Sequence, residues 1–278
     1  MLEIKELTYA YPRSAAPVFS GLDLTLHHGG IYGMLGSNGA GKSTLLYLMC
    51  GLLLPSAGSV YFKGENVGLR HPLMLADIFI VPEEFDLPHV SLEEFVRVNA
   101  EFYPRFSRED MNRYLEEFRL NGALNLGRLS MGQKKKVFIS FALACNTSLL
   151  LMDEPTNGLD IPGKSEFRRA LVAAMTDERT VVISTHQVRD LDRVLDQVVI
   201  VDGGKPVLQA SMTELQRSLA FTVEPQPDNA AIYCQPTVGG YAIVRAADSD
   251  SAETDVNLES LFELAVTSPA ALTSILKK

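Results

Sequence analysis

A glycine-rich nonapeptide at residues 36–44, GSNGAGKST, constrains the fold of this chain more than any other stretch. It matches G-x-x-x-x-G-K-[ST]. It lies between an apolar run at 31–35, which predicts a buried strand, and an apolar run at 45–50, which predicts a helix. Glycines let the backbone turn its N–H groups toward an anion, and a helix N-terminus adds about half a positive charge. The stretch therefore predicts a phosphate-binding loop. The alternative is a chance glycine turn, and it is disfavoured because such a turn does not require a strand before it and a helix after it.

The loop predicts specific contacts to a nucleoside triphosphate. We expect the Lys42 ammonium to reach the β- and γ-phosphates and to act in catalysis, and the Ser43 hydroxyl to ligate Mg²⁺. The other nucleotide-binding residues predicted in the loop are Ser37, Asn38, Gly39, Ala40, Gly41 and Thr44. These contacts identify a ligand, ATP or a relative of it, but not the use to which it is put.

Composition and charge narrow the class of protein. The 278 residues suffice for one large domain and a small one, and 46% of them are apolar. A net charge of −9 disfavours nucleic-acid binding. The charged N-terminus is unlike a signal peptide, and no apolar run reaches the ~18 residues of a membrane span. Three scattered cysteines predict reduced thiols in the core of a cytosolic protein.

Strand and helix patterns alternate along residues 1–210, which predicts an α/β domain with a mainly parallel sheet. Residues 88–145 change to helical spacing, with serine caps at Ser91 and Ser107, and predict a helical insert. Residues 211–278 carry 9 acids and 4 bases, more acidic than the rest of the chain, and predict a small accessory domain of short strands and a helix. Within it, 248–255 resembles a calcium loop but lacks the required glycine, so an acidic surface loop is expected.

An apolar strand at 149–152 runs into Asp153 and Glu154. Such a pair suits phosphoryl transfer to water, since one carboxylate can hold Mg²⁺ and the next can act as general base. Two solvated charges at a strand end are the alternative. Glu83 and His186 also follow predicted strands, and the carboxyl ends of parallel strands share one edge, so we expect all four side chains to converge on the phosphate loop.

A second phosphate-binding helix start is predicted at residues 129–133, LSMGQ. One chain then has two helix starts that can bind the phosphates of a nucleotide. Both can serve the same nucleotide if the second helix start comes from a partner subunit.

With these motifs in order, residues 1 to about 210 resemble the ATP-binding subunits of ABC transporters. The resemblance rests on the Walker A loop, the signature LSMGQ, the Walker B strand with its catalytic glutamate, a D-loop at 155–160 and a switch histidine. It implies a P-loop ABC ATPase core with an antiparallel β subdomain and a helical insert, followed by a small α+β accessory domain. It also implies hydrolysis of ATP with Mg²⁺.

The resemblance implies a head-to-tail dimer, either of identical chains or with a paralogous ATPase. The base would stack on Tyr11, Glu154 would activate water, and His186 would brace the γ-phosphate. The residues implied to reach the nucleotide of the partner chain are Ser130, Gly132, Gln133 and Asp160. A separate integral membrane permease is the implied partner, with the chain on the inner face of the cell membrane.

Three positions depart from the family pattern. Glu83 stands where a magnesium-binding glutamine is usual, and it is kept as a predicted ligand together with Ser43 and Asp153. Met131 replaces a small residue of the signature. The run Lys134–Lys135–Lys136 is interpreted as a solvated helix start or a docking contact.

The helix predicted at 258–263 resembles tails of drug and lipid exporters, which favours export. The alternative is a soluble ABC-type ATPase switch that acts on ribosomes or DNA. A single cassette, a short insert and the acidic balance disfavour it.

Overall fold

The computed structural model describes residues 1–12, 16–187, 191–247 and 254–276. The strands in these ranges are β1 Leu2–Tyr9, β2 Phe19–Leu26, β3 Gly30–Leu35, β4 Ala57–Phe62, β5 Glu65–Asn66, β6 Ile78–Val81, β7 Leu149–Asp153, β8 Thr180–Thr185, β9 Gln197–Asp202, β10 Lys205–Ser211, β11 Leu219–Glu224, β12 Tyr233–Thr237 and β13 Gly240–Ala246. The helices are α1 Lys42–Met49, α2 Pro72–Leu75, α3 Leu92–Asn99, α4 Arg108–Glu117, α5 Met131–Ala144, α6 Ile161–Ala173, α7 Met212–Ser218, α8 Leu258–Thr267 and α9 Pro269–Leu276.

The central sheet has six strands in the order β10-β9-β3-β8-β7-β6. All pairs are parallel except β10 with β9, which form an antiparallel hairpin around Gly203 and Gly204. Leu35 pairs with Thr185, and Asp153 pairs with Ser184, so the carboxyl ends of three strands meet at one edge. Every residue of β7 is buried, as expected of a strand covered on both faces. The mainly parallel α/β sheet predicted from the sequence is confirmed.

A second sheet, antiparallel, has the order β2-β1-β4-β5. Alternate residues of β1 and β2 are buried, as their alternating sequences predict. They pack with α1 and one face of the central sheet into a shared apolar core. This sheet is the antiparallel subdomain expected from the resemblance.

The helical insert consists of α3, α4 and α5, between β6 and β7. Ser91 Oγ accepts the N–H of Glu94 and Ser107 Oγ that of Asp110, both at 3.1 Å, so the two predicted caps are confirmed. Phe102 follows Phe95 and Val96 at helical spacing, which predicts that it continues the buried face of the first helix, and this prediction is wrong. The helix ends at Asn99, and the 3-10 turn that follows leaves Phe102 68% exposed.

The C-terminal segment forms the sheet β11-β13-β12 with α7, α8 and α9. The predicted strands and the helix at 258 are confirmed, whereas α7 and α9 were not predicted. Leu215, Leu219 and Leu261 belong to the same apolar cluster as Ile200 and Leu208 of the central sheet. The segment therefore packs on the β9–β10 side of the sheet. The domain division at 210 stays a prediction, and residues 248–253 of the acidic stretch lie outside the described ranges.

Two further predictions concern the whole chain. Cys50 and Cys145 are buried free thiols as expected, and burial raises the pKa of Cys50 to about 11. Cys234 is only half-buried. Within the described ranges, no helix has both the length and the apolar character needed to cross a membrane.

Candidate nucleotide-binding site

The glycine loop joins the end of β3 to the start of α1. Gly39 and Gly41 have φ angles of 82° and 96°, which L-residues rarely adopt. A Cβ at Gly41 would lie 2.7 Å from side-chain carbons of Val18 and Phe19, so only glycine fits. Gly41 caps α1 without a side-chain hydrogen bond, and the first turn holds no acidic residue. The N–H groups at this helix start can therefore serve an anion.

Lys42 lies at the centre of the loop and is 7% exposed. Its Nζ donates to the carbonyl oxygens of Gly36 at 2.8 Å and Ser37 at 3.1 Å, which places the ammonium inside the loop. Burial lowers the pKa of Lys42, and the carboxylates of Glu154, Asp153 and Glu83 oppose that shift. The positive charge thus faces the three carboxylates that the sequence predicted around it.

A cavity of about 470 Å³ unites most of the predicted site. Its lining contains predicted residues of the loop together with the carboxylates and the histidine that follow other strands: Tyr11, Asn38, Gly39, Gly41, Lys42, Ser43, Thr44, Glu83, Glu154 and His186. Two predicted loop residues stand apart from this lining. Ser37 lines a neighbouring cavity with His186, and the Ala40 N–H donates to Ser37 O at 3.1 Å within the loop.

Glu154 is buried and fixed at its backbone and its carboxylate. Its φ of 44° lies in the left-handed region, and its N–H donates to Ser184 O at 3.0 Å. Oε1 accepts the N–H of His186 at 2.9 Å and lies 2.6 Å from His186 Nδ1, while Oε2 accepts the Thr185 hydroxyl at 3.1 Å. The end of β8 thereby aims this carboxylate into the cavity.

Asp153 is 2% exposed, and its Oδ1 accepts the hydroxyl of Ser184 across the β7–β8 pair. Among the described residues, no group of three or more His, Cys, Asp and Glu could hold a metal ion by itself. In nucleotide sites Mg²⁺ usually keeps water and phosphate oxygens and takes only one or two protein ligands. Of the three predicted ligands, Ser43 and Glu83 line the cavity, whereas Asp153 is not part of its lining. All three carry oxygen donors of the kind that Mg²⁺ prefers.

Glu83 belongs to a network that sequence reasoning missed. Asn157 Nδ2 donates to Glu83 Oε1 at 3.0 Å, and Asn157 Oδ1 accepts from Gln187 Nε2 at 3.0 Å. Lys135 Nζ donates to the carbonyl oxygens of Asn157 and Glu154. Asn157 lies within the D-loop at 155–160 and Gln187 directly follows the switch histidine, and these positions were the only sequence signal for them.

The lysine run departs from its interpretation as a solvated helix start. Lys135 is 5% exposed, because the loop after β7 covers it. Lys134 pairs with Asp86 at 2.9 Å, and Lys136 pairs with the buried Glu166 at 2.7 Å. Each of the three ammonium groups therefore has contacts within the chain.

Tyr11 lies at the cavity entrance and is 43% exposed. Its hydroxyl is 2.9 Å from Thr44 Oγ1, and its ring meets Tyr9 edge-on at 5.1 Å. The ring is thus oriented by the loop helix and by β1. Stacking of a base on it stays a prediction.

The signature opens α5 outside the lining of the nucleotide cavity, and its Met131 and Gly132 line a neighbouring cavity together with Glu83. Ser130 and Gln133 form a reciprocal capping box: Gln133 N donates to Ser130 Oγ at 3.3 Å, and Ser130 N donates to Gln133 Oε1 at 3.0 Å. Both residues are exposed, and the described cavity lining includes no residue of 129–133. Asp160 caps α6 by accepting the N–H of Gly163 at 3.0 Å. None of the four residues predicted to reach a partner's nucleotide serves the nucleotide cavity of its own chain.

Comparison with known proteins identifies the family. The family model described as ABC transporter matches residues 19–157, half of the chain. The chain belongs to this family. It is 31% identical over 221 residues to Nod factor export ATP-binding protein I of Cupriavidus pinatubonensis, covering 77% of this chain and 67% of that protein. It is also 31% identical to Methionine import ATP-binding protein MetN of Caulobacter vibrioides, covering 87% and 77%.

A solved structure of the ATP-binding subunit of an ABC transporter matches with a TM-score of 0.68 at 27% identity, covering 78% of this chain and 92% of that chain. The expected fold and family are therefore confirmed. As a member of the ABC transporter family, the chain is an ATPase that binds ATP together with Mg²⁺. It spans about two thirds of the length of the Nod factor relative.

Proposed function

We propose that this chain binds and hydrolyses Mg-ATP in a head-to-tail dimer and powers a separate integral membrane permease. The observation that supports the proposal is that the residues predicted to act on ATP lie on two separate surfaces of the chain. One cavity unites Lys42, Glu154 and His186, whereas the signature Ser130–Gln133 faces outward on another element. A second chain can complete each cavity with its signature. The dimer is either of identical chains or formed with a paralogous ATPase.

In this proposal each residue acts on the nucleotide, on the metal ion or on the attacking water. Lys42 and the N–H groups of α1 hold the phosphates, and Tyr11 stacks the base. Glu154 takes up the proton of the water, and His186 keeps the carboxylate oriented and braces the γ-phosphate. Mg²⁺ held by Ser43, Asp153 and Glu83 would offset the phosphate charge. Ser130, Gly132, Gln133 and Asp160 act across the dimer interface.

The chain would sit on the cytoplasmic face of the cell membrane as a peripheral subunit. One exposed apolar side chain supports docking at the helical insert: Phe102, in the 3-10 turn after α3, is 68% exposed. Leu69 and Leu73, which precede β6, are also exposed, at 66% and 85%. The segment after β6 and the helical insert would receive the permease. Residues 1–210 would form the ATPase domain, with the helical subdomain at about 88–145, and 211–278 an accessory domain.

Export is the direction we propose, because the relative with 31% identity and 77% coverage is named for export. A relative named for import matches with equal identity, so transport assays in both directions are needed once the permease is known.

Purification of the tagged chain from detergent-solubilised membranes tests the transporter role. A polytopic membrane protein in near-equal amount is the expected result. Recovery only from the soluble fraction, with ribosomes or nucleic acid, would contradict it and favour an ATPase switch.

The head-to-tail dimer has its own test. The Glu154→Gln variant should form a dimer in Mg-ATP. Light scattering measures the dimer, both for the isolated chain and for its complex with the permease. Adding Ser130→Arg should abolish the dimer while ATP still binds. Dimerisation that ignores Ser130→Arg would contradict the head-to-tail arrangement.

A further inference from the structure

Lys135 differs from its neighbours in the lysine run. It lies in the first turns of α5, two residues after Gln133. Its Nζ donates to two backbone carbonyls of the loop after β7, Glu154 O at 3.1 Å and Asn157 O at 2.9 Å. Lys134 and Lys136 pair instead with carboxylates. A buried ammonium directed at the backbone of the predicted catalytic residue calls for a specific explanation.

The backbone of Glu154 needs such a contact. Its φ of 44° is unfavourable for an L-residue with a long side chain, and surrounding contacts must hold it. The N–H of Glu154 is held by Ser184 O, and its carbonyl is held by Lys135 Nζ and by the N–H of Asn157 at 3.1 Å. The direction of the carboxylate depends on this backbone conformation.

The charges around Lys135 agree with that role. Burial lowers its pKa, and Glu83, Glu154 and Asp153 act in the opposite direction and favour the ammonium. The Lys135 charge, like that of Lys42, is therefore attracted by the three carboxylates of the site. It offsets the carboxylate that Glu83 brings to a position where the family usually has a neutral glutamine.

We propose that Lys135 is a positioning residue for Glu154 and that it links the signature helix to the catalytic carboxylate of the same chain. The inference rests on the proposed function, in which Ser130–Gln133 meets the partner's nucleotide. A shift of the start of α5, as the signature closes on one nucleotide, moves the Lys135 ammonium. The backbone of Glu154, which serves the other nucleotide, moves with it. The two sites of a dimer are thereby coupled through a single side chain.

A double-mutant cycle tests this inference on the full chain, with ATPase kinetics as the readout. Lys135→Met removes the charge and both hydrogen bonds at similar volume. We expect kcat to fall about 10- to 100-fold, as for lost orientation of a general base, while KM for ATP changes less than about twofold. Lys135→Arg should recover part of the rate. Lys134→Met is the matched control and should keep the wild-type rate.

The decisive comparison uses the Glu154→Gln background. If Lys135 acts through the carboxylate, Lys135→Met should lower the residual rate of Glu154→Gln by less than about twofold. Two results would overturn the proposal. One is that Lys135→Met lowers kcat by the same factor in the Glu154→Gln background as in the wild type. The other is a wild-type kcat for Lys135→Met alone. If Lys135→Met fails to fold, Lys135→Gln and Lys135→Arg carry the same cycle. Wild-type turnover of Glu154→Gln alone would instead overturn the role of Glu154 in the proposed function, and this inference with it.

Discussion

Glu154 and His186 meet across the ends of two adjacent parallel strands, with Glu154 Oε1 2.6 Å from His186 Nδ1. The same oxygen accepts the backbone N–H of His186, so one residue holds it through both ring and backbone. Thr185 holds the other oxygen. The carboxylate therefore has its orientation set by the segment that ends β8.

We predict that His186→Ala lowers kcat for ATP about tenfold or more, because the carboxylate loses its ring contact. The backbone N–H contact remains, so the loss should be smaller than for removal of the carboxylate itself. Steady-state ATPase measurements check this. His28→Ala changes an exposed histidine away from the cavity and should have no effect. Equal rates for both variants would contradict the role of His186.

Asp77 should contribute strongly to stability. Its carboxylate accepts from Lys63 Nζ at 2.7 Å and from the N–H of Ser148 at 2.8 Å, and it also contacts Arg105. Asp77→Asn should lower the free energy of unfolding by about 1–3 kcal/mol near neutral pH. Denaturant unfolding measures this, with the exposed Asp192→Asn as a control that should stay within about 0.5 kcal/mol.

The effect of Asp77→Asn should depend on pH in a defined direction. Burial raises the pKa of Asp77, but hydrogen bonds from Lys63 and Ser148 and the charge of Arg105 outweigh it, so the folded-state pKa lies below 3.8. The stabilisation is therefore complete above the ordinary pKa and is lost as pH falls through the folded pKa. The difference in unfolding free energy between wild type and variant should hold from about pH 6 to about pH 4 and then shrink as the pH falls further toward about pH 3. A constant difference across that range would contradict the ion-pair explanation.

Arg179 is 3% exposed and ties together the ends of several elements. Its guanidinium donates to the carbonyl oxygens of Leu143, Ala174 and Thr147 and to Asn146 Oδ1. Arg179→Met removes the guanidinium donor from all four acceptors, and of these Leu143 O keeps the backbone N–H of Asn146 at 3.3 Å. The other acceptors lose their donor, so the free energy of unfolding should fall by about 3 kcal/mol, with Tm lower by about 6–10 °C. Calorimetry checks this, with the exposed Arg97→Met as control. An unchanged Tm for Arg179→Met would contradict the account.

The sequence predicted what depends on local pattern. The strand–loop–helix unit around Lys42, the caps at Ser91 and Ser107 and the buried strand ending in Asp153 follow from spacing and residue type. Convergence of Glu154 and His186 followed from the rule that parallel strands end at one edge.

Other features depend on contacts distant in the chain, which spacing does not encode. Lys135 looks solvated as part of a basic run, and only the loop after β7, about twenty residues later, buries it. The network of Asn157 with Glu83 and Gln187 joins three separate loops. Helix α9 packs near α7 and β10. The apolar spacing of α7 and of α9 is weaker than that of α8, which begins at Leu258.

Hydrolysis of ATP by Glu154→Gln tests whether Glu154 is the general base. The variant keeps the size and the hydrogen-bonding capacity of the side chain but removes the base. We predict ATP binding close to that of the wild type and a fall in kcat of about 100-fold or more, measured as phosphate release. Glu178→Gln, an exposed change, should hydrolyse normally. Wild-type turnover by Glu154→Gln would contradict the assignment of Glu154 as the residue that activates water.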